Sequence, residues 1–326
     1  MLAIEISAFG PAEVLKPAER PKPVPKEDEI LIRVEAAGVA RADTLQRQGK
    51  YPPPPGASDI PGLDVAGSIE SVGDGVREFR RGDRVCAILA GGGYAEFCIA
   101  PAAQVLPIPQ GWTAVEAATL PENLFTVYDN LITRAGLGAG ETVLIHGATS
   151  GIGSMAIMLS RAWGATPIAT AGSTEKCEAC VRFGAAQAIN YREMDFVAEV
   201  KSFTAGCGVN VILDIVGGPY LERNLEALAP EGRLSIVATQ GGRAAQLDLF
   251  ALMRKRARIV ASTMRARTPE QKGEIARRLL RDVWPKLPAK DTIRPIIDST
   301  FPLAEASRAH ERIESGKHIG KIVLVP

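Results

Sequence analysis

The chain has 326 residues, 46% of them apolar and 23% charged, with 38 basic against 37 acidic side chains and a formal net charge of +1. That length suggests about two globular domains, and so even a charge balance excludes a protein that holds nucleic acid or an anionic membrane by bulk charge. Five scattered cysteines form no disulfide framework and point to a reducing compartment, expected to be the cytoplasm.

The opening MLAIEISAFG alternates as a strand does, and without a basic start and a long apolar core it does not read as a signal peptide. No stretch supplies the roughly 18 uninterrupted apolar residues of a membrane span. Up to about residue 120 the chain reads as β-rich, with strand-like runs at 29–39, 65–73, 83–89 and 94–100. Gly and Pro punctuators such as GDGV and PPPPG lie between them. From about residue 140 strands and helices alternate. TVLIHG, TPIATAG, AQAINY, VNVILDIVG, RLSIVAT and RIVAST are the strands, and MAIMLSRAWG and TEKCEACVRFG are helical. Such alternation predicts an α/β fold, a doubly wound parallel sheet covered on both faces.

The basic run Arg254, Lys255, Arg256, Arg258 is too short for a nucleic-acid patch and reads as a solvated helix end. Beyond it, GEIARRLLRDVWPKL sets Ile275, Leu279, Leu280, Val283, Trp284 and Leu287 on one helical stripe, and HIGKIVLVP is a last strand. The expected domains are a β-rich one over 1–121, an inserted nucleotide-binding one over 122–261, and a return to the first over 262–326.

The inserted domain opens on IHGATSGIGSM, with glycines at 147, 151 and 153 between the first strand and the first helix. Glycine there permits a tight turn and lets backbone approach a pyrophosphate, while the helix N-terminus offers unpaired N–H groups to an anion. Thr149, Ser150, Gly151 and Ile152 are therefore expected to cradle a dinucleotide, the first two adding hydroxyl donors. In NAD-binding folds an acid about 20 residues on, at the end of the second strand, holds the ribose 2′-hydroxyl. Here that place reads Ala171-Gly172-Ser173-Thr174-Glu175-Lys176. A 2′-phosphate is welcomed by Ser173 and Lys176 where a strand-end carboxylate would repel it, so the expected cofactor is NADPH.

Two other folds use a glycine turn of this kind. The short-chain dehydrogenases need a Tyr-x-x-x-Lys pair, and none of the five tyrosines (51, 94, 128, 191, 220) has lysine four residues on. A methyltransferase would normally carry an acid at the end of the second strand, and none stands there.

The β-rich start, the inserted nucleotide domain and the tail GKIVLV together resemble the medium-chain dehydrogenase/reductases, and within them the zinc-free quinone oxidoreductases of the zeta-crystallin branch. RADTLQRQGKYPPPPGAS (41–58), GGGYAEF (91–97), LPENLFTVYDNL (120–131), TAGSTEK (170–176) and HIGKIVL (318–324) look like the tumour-suppressor-inducible NADPH quinone oxidoreductases of that branch. The resemblance implies a Rossmann domain inserted into a GroES-like catalytic domain.

No metal is expected. The first zinc-ligand position of the zinc-dependent relatives corresponds to Ala40-Arg41-Ala42-Asp43, without cysteine. Their Gly-His-Glu is Gly62-Leu63-Asp64, without histidine, and the four-cysteine structural lobe is missing. Cys177-x-x-Cys180 lies on a helical stretch with no second ligand pair.

Without a Lewis acid, the acceptor must itself delocalise the incoming charge. A quinone is expected, with a polarised enone or alkenal as the alternative and a structural or sensory NADPH-binding protein as the non-enzyme one. By the resemblance Tyr51, ahead of Pro52–Pro55, borders the nicotinamide, where its phenol can donate to the acceptor oxygen. Thr126 lies near the same ring and Tyr191 near the adenosine phosphate. Val216, Gly217 and Gly241 follow strands at the carboxyl edge where such ligands sit. Lys321 is expected to reach the cofactor. Relatives often have asparagine where this chain has Ala40, and Asp43 is read as a structural hydrogen-bonding residue. A homodimer or homotetramer is expected, with RIVAST extending a sheet across a two-fold axis.

Overall fold

The structure is a computed structural model and describes all 326 residues. The chain divides into two compact units. Met1–Phe125, Met264–Lys290 and Pro295–Pro326 make the first, and Thr126–Thr263 with Asp291–Arg294 make the second.

In the first unit β1 (Leu2–Ile6) pairs antiparallel with β2 (Leu15–Glu19). The main sheet uses β3 (Glu29–Val39), β4 (Asp64–Val72), β5 (Arg84–Ile88), β6 (Phe97–Pro101) and β7 (Val105–Pro107). β14 (Ile297–Pro302) and β15 (Lys321–Val325) complete it. The order is β14-β15-β3-β4-β5-β7, with β6 also on β3. The run expected at 29–39 is β3 itself, whereas the run expected at 94–100 forms a strand only from Phe97. Ile30, Ile32, Val34, Val65, Ile69, Val85, Ile322 and Leu324 fill one core. β15 is antiparallel to β3, with Ile322 opposite Val39 and Leu324 opposite Ala37. That register brings the C-terminal tail beside the start of α1 (Arg41–Arg47).

The late helix α6 (Pro269–Asp282) begins before GEIARRLL because Thr268 and Gln271 form a capping box and Pro269 suits the first helical turn. Ile275, Leu279, Val283, Trp284 and Leu287 are buried as expected, but Leu280 is 38% exposed. It stands about 100° round the helix from Leu279 and so leaves the apolar stripe.

In the second unit six parallel strands form one sheet. They are β8 (Thr142–Ile145), β9 (Thr166–Ala171), β10 (Gln187–Asn190), β11 (Val209–Asp214), β12 (Leu228–Ile236) and β13 (Arg258–Ala261). Their order is β10-β9-β8-β11-β12-β13, so the winding direction reverses between β8 and β11. Helices α2 (Gly151–Ala162), α3 (Thr174–Phe183), α4 (Phe196–Phe203) and α5 (Leu221–Ala227) connect the strands. Leu144, Ile168, Ile189, Val200, Ile212 and Leu234 form the core. β13 ends the sheet, followed in chain order by the return to the first unit. The basic run before it is the last turn of a helix (Leu249–Lys255) and its left-handed end at Arg256. No helix is long and apolar enough to cross a membrane.

Candidate active site

The carboxyl ends of the parallel strands gather most of the residues expected to bind a nucleotide. After β8, Gly147 takes φ +62°, and a Cβ there would lie 2.2 Å from Ile215 Cδ1. Gly153 sits so close to the preceding turn that a Cβ would be 2.5 Å from Ala148 Cα and from the Gly147 carbonyl. These two positions make the strand-to-helix turn possible. Ser150 is the N-cap of α2, its Oγ accepting from the Gly153 N–H at 3.0 Å. The cap leaves the N–H groups of Gly151 and Ile152 in the first turn, where a helix has no internal partner for them.

After β9, Ser173 caps α3 by accepting from the Lys176 N–H at 3.3 Å. Gly172 has no side chain because the phenol of Tyr191 lies across it: a Cβ would meet Tyr191 Oη at 2.8 Å and Arg192 Nε at 3.4 Å. Ser173, Lys176, Tyr191 and Arg192 therefore share one strand end. After β11 the Gly217 N–H, in a φ +83° turn, and the Val216 N–H both donate to Asp214. Gly241 donates to the Val216 carbonyl at 2.8 Å, and Gly218 to the Gly242 carbonyl at 2.9 Å. Val216, Gly217 and Gly241 are thus one packed corner.

A buried polar chain locks these ends together. Asn224 Nδ2 donates to Asp214 Oδ2 at 3.0 Å, which leaves its carbonyl to accept from His146 Nε2 at 2.8 Å. His146 Nδ1 is then the acceptor for the Thr170 hydroxyl at 3.0 Å. Phe196 and Tyr220 stand edge-on to the imidazole with ring centroids 4.9 and 5.0 Å away. Burial pulls its pKa down to about 4, so it is neutral and holds β8, β9, β11 and α5 in register.

The first unit carries the other expected residues, and there charge replaces backbone. Asp43 clamps both ends of the segment that bears Tyr51, accepting from the Ala40 N–H at 2.8 Å and the Gly62 N–H at 3.0 Å. Tyr94 donates to the same carboxylate at 3.2 Å and contacts His310 Nε2 at 3.1 Å. Arg47 faces the other nitrogen of His310 at 3.3 Å and pairs with Glu314 at 2.6 Å. Burial and the neighbouring guanidinium lower His310 to about 3.

Tyr51 is partly buried, and burial raises its phenol pKa against the pull of Arg265. Lys321, expected to reach the cofactor, is engaged by carboxylates. Its ammonium is buried, 2.7 Å from Asp64 and 3.5 Å from Glu122, both within the first unit. Burial alone would lower its pKa, but the two carboxylates overcome that and raise it. Asp43 has the structural place expected of it. Thr126 opens the second unit, its carbonyl accepting from Asn130 at 2.9 Å.

Arg265, Arg192 and the His146–Asn224–Asp214 chain were not legible as site residues in the sequence. A basic residue directly after Tyr191 was the one available signal.

Residues 26–110 match the alcohol dehydrogenase GroES-like domain, and residues 151–281 match the domain described as zinc-binding dehydrogenase. The quinone oxidoreductase of Rattus norvegicus is 35% identical over 329 residues, covering 100% of this chain and 98% of that protein. The crystal structure of Escherichia coli quinone oxidoreductase complexed with NADPH superposes with a TM-score of 0.87 at 31% identity, covering 100% of both chains. An NAD-dependent alcohol dehydrogenase superposes nearly as well, with a TM-score of 0.86 at 28% identity over 100% of both chains. The fold alone therefore does not select cofactor or acceptor. The donor set here does not fit zinc. No three His, Cys, Asp or Glu side chains converge to hold a metal ion. Asp64 faces an ammonium, and burial pushes the Cys98 thiol up to about 12 and Cys86 further still.

Proposed function

This chain belongs to the medium-chain dehydrogenase/reductases, in their quinone oxidoreductase branch, and on that footing we propose that it is a zinc-independent NADPH:quinone oxidoreductase. The observation that carries the choice of cofactor is the end of β9. It has a capping serine, a lysine and, beside Gly172, an arginine where an NAD-binding fold has a carboxylate. Ser173, Lys176 and Tyr191 take the 2′-phosphate. Thr149, Ser150, Gly151 and Ile152 hold the pyrophosphate through the start of α2. Thr126, Val216, Gly217 and Gly241 border the nicotinamide. Bound NADPH supplies the hydride that reduces the acceptor.

The chain's own tasks are orientation and stabilisation of the charge that develops on the acceptor oxygen. Tyr51 is the donor to that oxygen. A phenol is protonated at neutral pH, and burial raises the pKa of this one further. Lys321 acts from within, by holding Asp64 and Glu122, in the first turn of the helix Pro121–Val127, in place. A quinone fits this equipment because it delocalises charge without a Lewis acid. Homo-oligomers are expected to form through β13, the strand that ends the sheet.

Binding titration tests the cofactor. Lys176→Ala should weaken NADPH by about 1.5–3 kcal/mol, the worth of a charge-assisted hydrogen bond, and leave NADH little changed. Equal losses for both would refute the 2′-phosphate assignment. Steady-state rates with an ortho-quinone and with an unsaturated ketone decide the acceptor class. Tyr51→Phe should lower quinone turnover about tenfold or more, the usual scale for a positioned proton donor. Turnover within a factor of two of the original would remove the phenol from the chemistry.

A further inference from the structure

Tyr51 lies in a loop of prolines, PPPPG, which offers few backbone donors and no helix or sheet to fix a side chain. What fixes it comes from far along the chain. Arg265 is only 4% exposed, and each of its three guanidinium nitrogens donates a hydrogen bond. Nη1 donates to the Tyr51 carbonyl at 3.0 Å, Nη2 to Gln46 Oε1 at 2.7 Å and Nε to the Ala90 carbonyl at 2.8 Å. Gln46 in turn donates to the Asp59 carbonyl at 2.8 Å, so the same fork steadies both sides of the proline loop. The guanidinium carbon lies 5.4 Å from the centre of the Tyr51 ring. Lys272, itself 2% exposed, holds the Arg265 carbonyl at 3.1 Å from α6.

We propose that Arg265 is the positioning residue for Tyr51: one buried guanidinium fixes its main chain, sets the direction of its ring and lays a positive charge beside it. The proposal rests on Tyr51 being the donor to the acceptor oxygen. A buried fork with three acceptors is a costly way to brace a surface loop, because each donor must be taken out of water. The cost is offset here because each guanidinium nitrogen has an acceptor. Its charge favours the phenolate, so the phenol donates more strongly to an oxygen that is gaining negative charge. The groups acting on the phenol are Arg265 and Glu122, with opposite effects. Those acting on Arg265 are Asp43 and Tyr51, and Arg265 and Arg267 both bear on Lys272.

The test reads the phenol directly. The tyrosinate absorbance of the full chain minus that of its Tyr51→Phe variant, followed against pH, isolates the Tyr51 titration. With Arg265→Gln that titration should move up by about one pH unit, from loss of a cation near the ring. A merely structural Arg265 gives the opposite sign: its loss opens the loop, wets the phenol and lowers the titration toward the ordinary tyrosine range. No movement, or a downward one, overturns the proposal.

Turnover supplies the second reading. Arg265→Gln should slow quinone reduction about tenfold at saturating acceptor in the original chain and less than twofold in Tyr51→Phe, whereas equal losses in both overturn it. If Tyr51→Phe alone keeps full turnover, the donor role of Tyr51 has failed, and the titration still decides whether Arg265 governs the phenol. Should Arg265→Gln not fold, Arg265→Lys keeps the charge and loses the fork. Its phenol should titrate near the original value while turnover falls, and full turnover in that variant overturns the proposal.

Discussion

The two units hold their expected site residues with different materials. In the second unit the expected nucleotide surface is backbone, namely glycine turns, two capping serines and helix starts, and a hydrogen-bonded chain of Thr170, neutral His146, Asn224 and the Asp214 carboxylate stiffens it. In the first unit the framework is charged and buried: Lys321 on Asp64 and Glu122, Arg265 under Tyr51, and Arg47 against His310 and Glu314. A nucleotide brings its own charge, which N–H groups and helix dipoles can meet. On the proposed function a neutral acceptor brings none until it reacts, and fixed charge and a fixed phenol would meet it in the first unit. The contrast at the expected site residues is one of side-chain charge against backbone; the second unit keeps its own buried ion pair, Arg233 with Glu141, before the start of β8 and away from the glycine turns.

The sharpest way to break the comparison is to remove a charge from the first unit. Lys321→Met leaves Asp64 buried beside Glu122 without its cation and should cost about 3–5 kcal/mol of stability. Adding Asp64→Leu should restore most of that loss in denaturant unfolding. A single variant as stable as the original would mean that the tail is not held by its charge. The matching change in the second unit is steric. Gly153→Val sets side-chain atoms against the Ala148 and Gly147 backbone, 2.5 Å from its Cβ, and should cost about 3 kcal/mol, the upper end for overpacking because backbone cannot step aside. Calorimetry should show that loss together with weakened cofactor binding. Unchanged affinity would place the nucleotide away from this turn.

The smallest effect concerns pH. His146 has its pKa lowered in the fold to about 4, against about 6.5 in the unfolded chain. The unfolded state therefore takes up a proton first as pH falls. The stability linked to this residue is complete above about pH 6.5 and is lost between there and about pH 4. Between pH 7 and 5 the loss amounts to about 2 kcal/mol. In His146→Asn that part of the pH dependence should vanish from unfolding curves. An unaltered slope would show that the imidazole is not kept neutral.

Legibility followed sequence distance. The glycine loop, the Ser173 cap and the strands β8 to β13 announce themselves within a few residues, because turn and cap geometry is a local property. Asp43 reads as a structural hydrogen-bonding residue, and it accepts from the Ala40 and Gly62 N–H groups. Lys321 was not legible, since a tail lysine looks the same whether it meets a phosphate or a carboxylate. Arg265 was less so: its partners Tyr51 and Gln46 stand 214 and 219 residues earlier, and no local pattern ties them together. Leu280 shows the same limit on a small scale, an apolar residue near the stripe that the helix turns toward water.

The sequence by itself determined the doubly wound unit, the turn that begins it and the chemical character of the β9 end, because each is set by residues that are neighbours along the chain. Only the tertiary structure decided which cations meet which carboxylates, that Lys321 is committed inward, and that Tyr51 rests on Arg265. Those contacts are made by long side chains across the folded core, where desolvation makes every unpaired charge costly and leaves few pairings open.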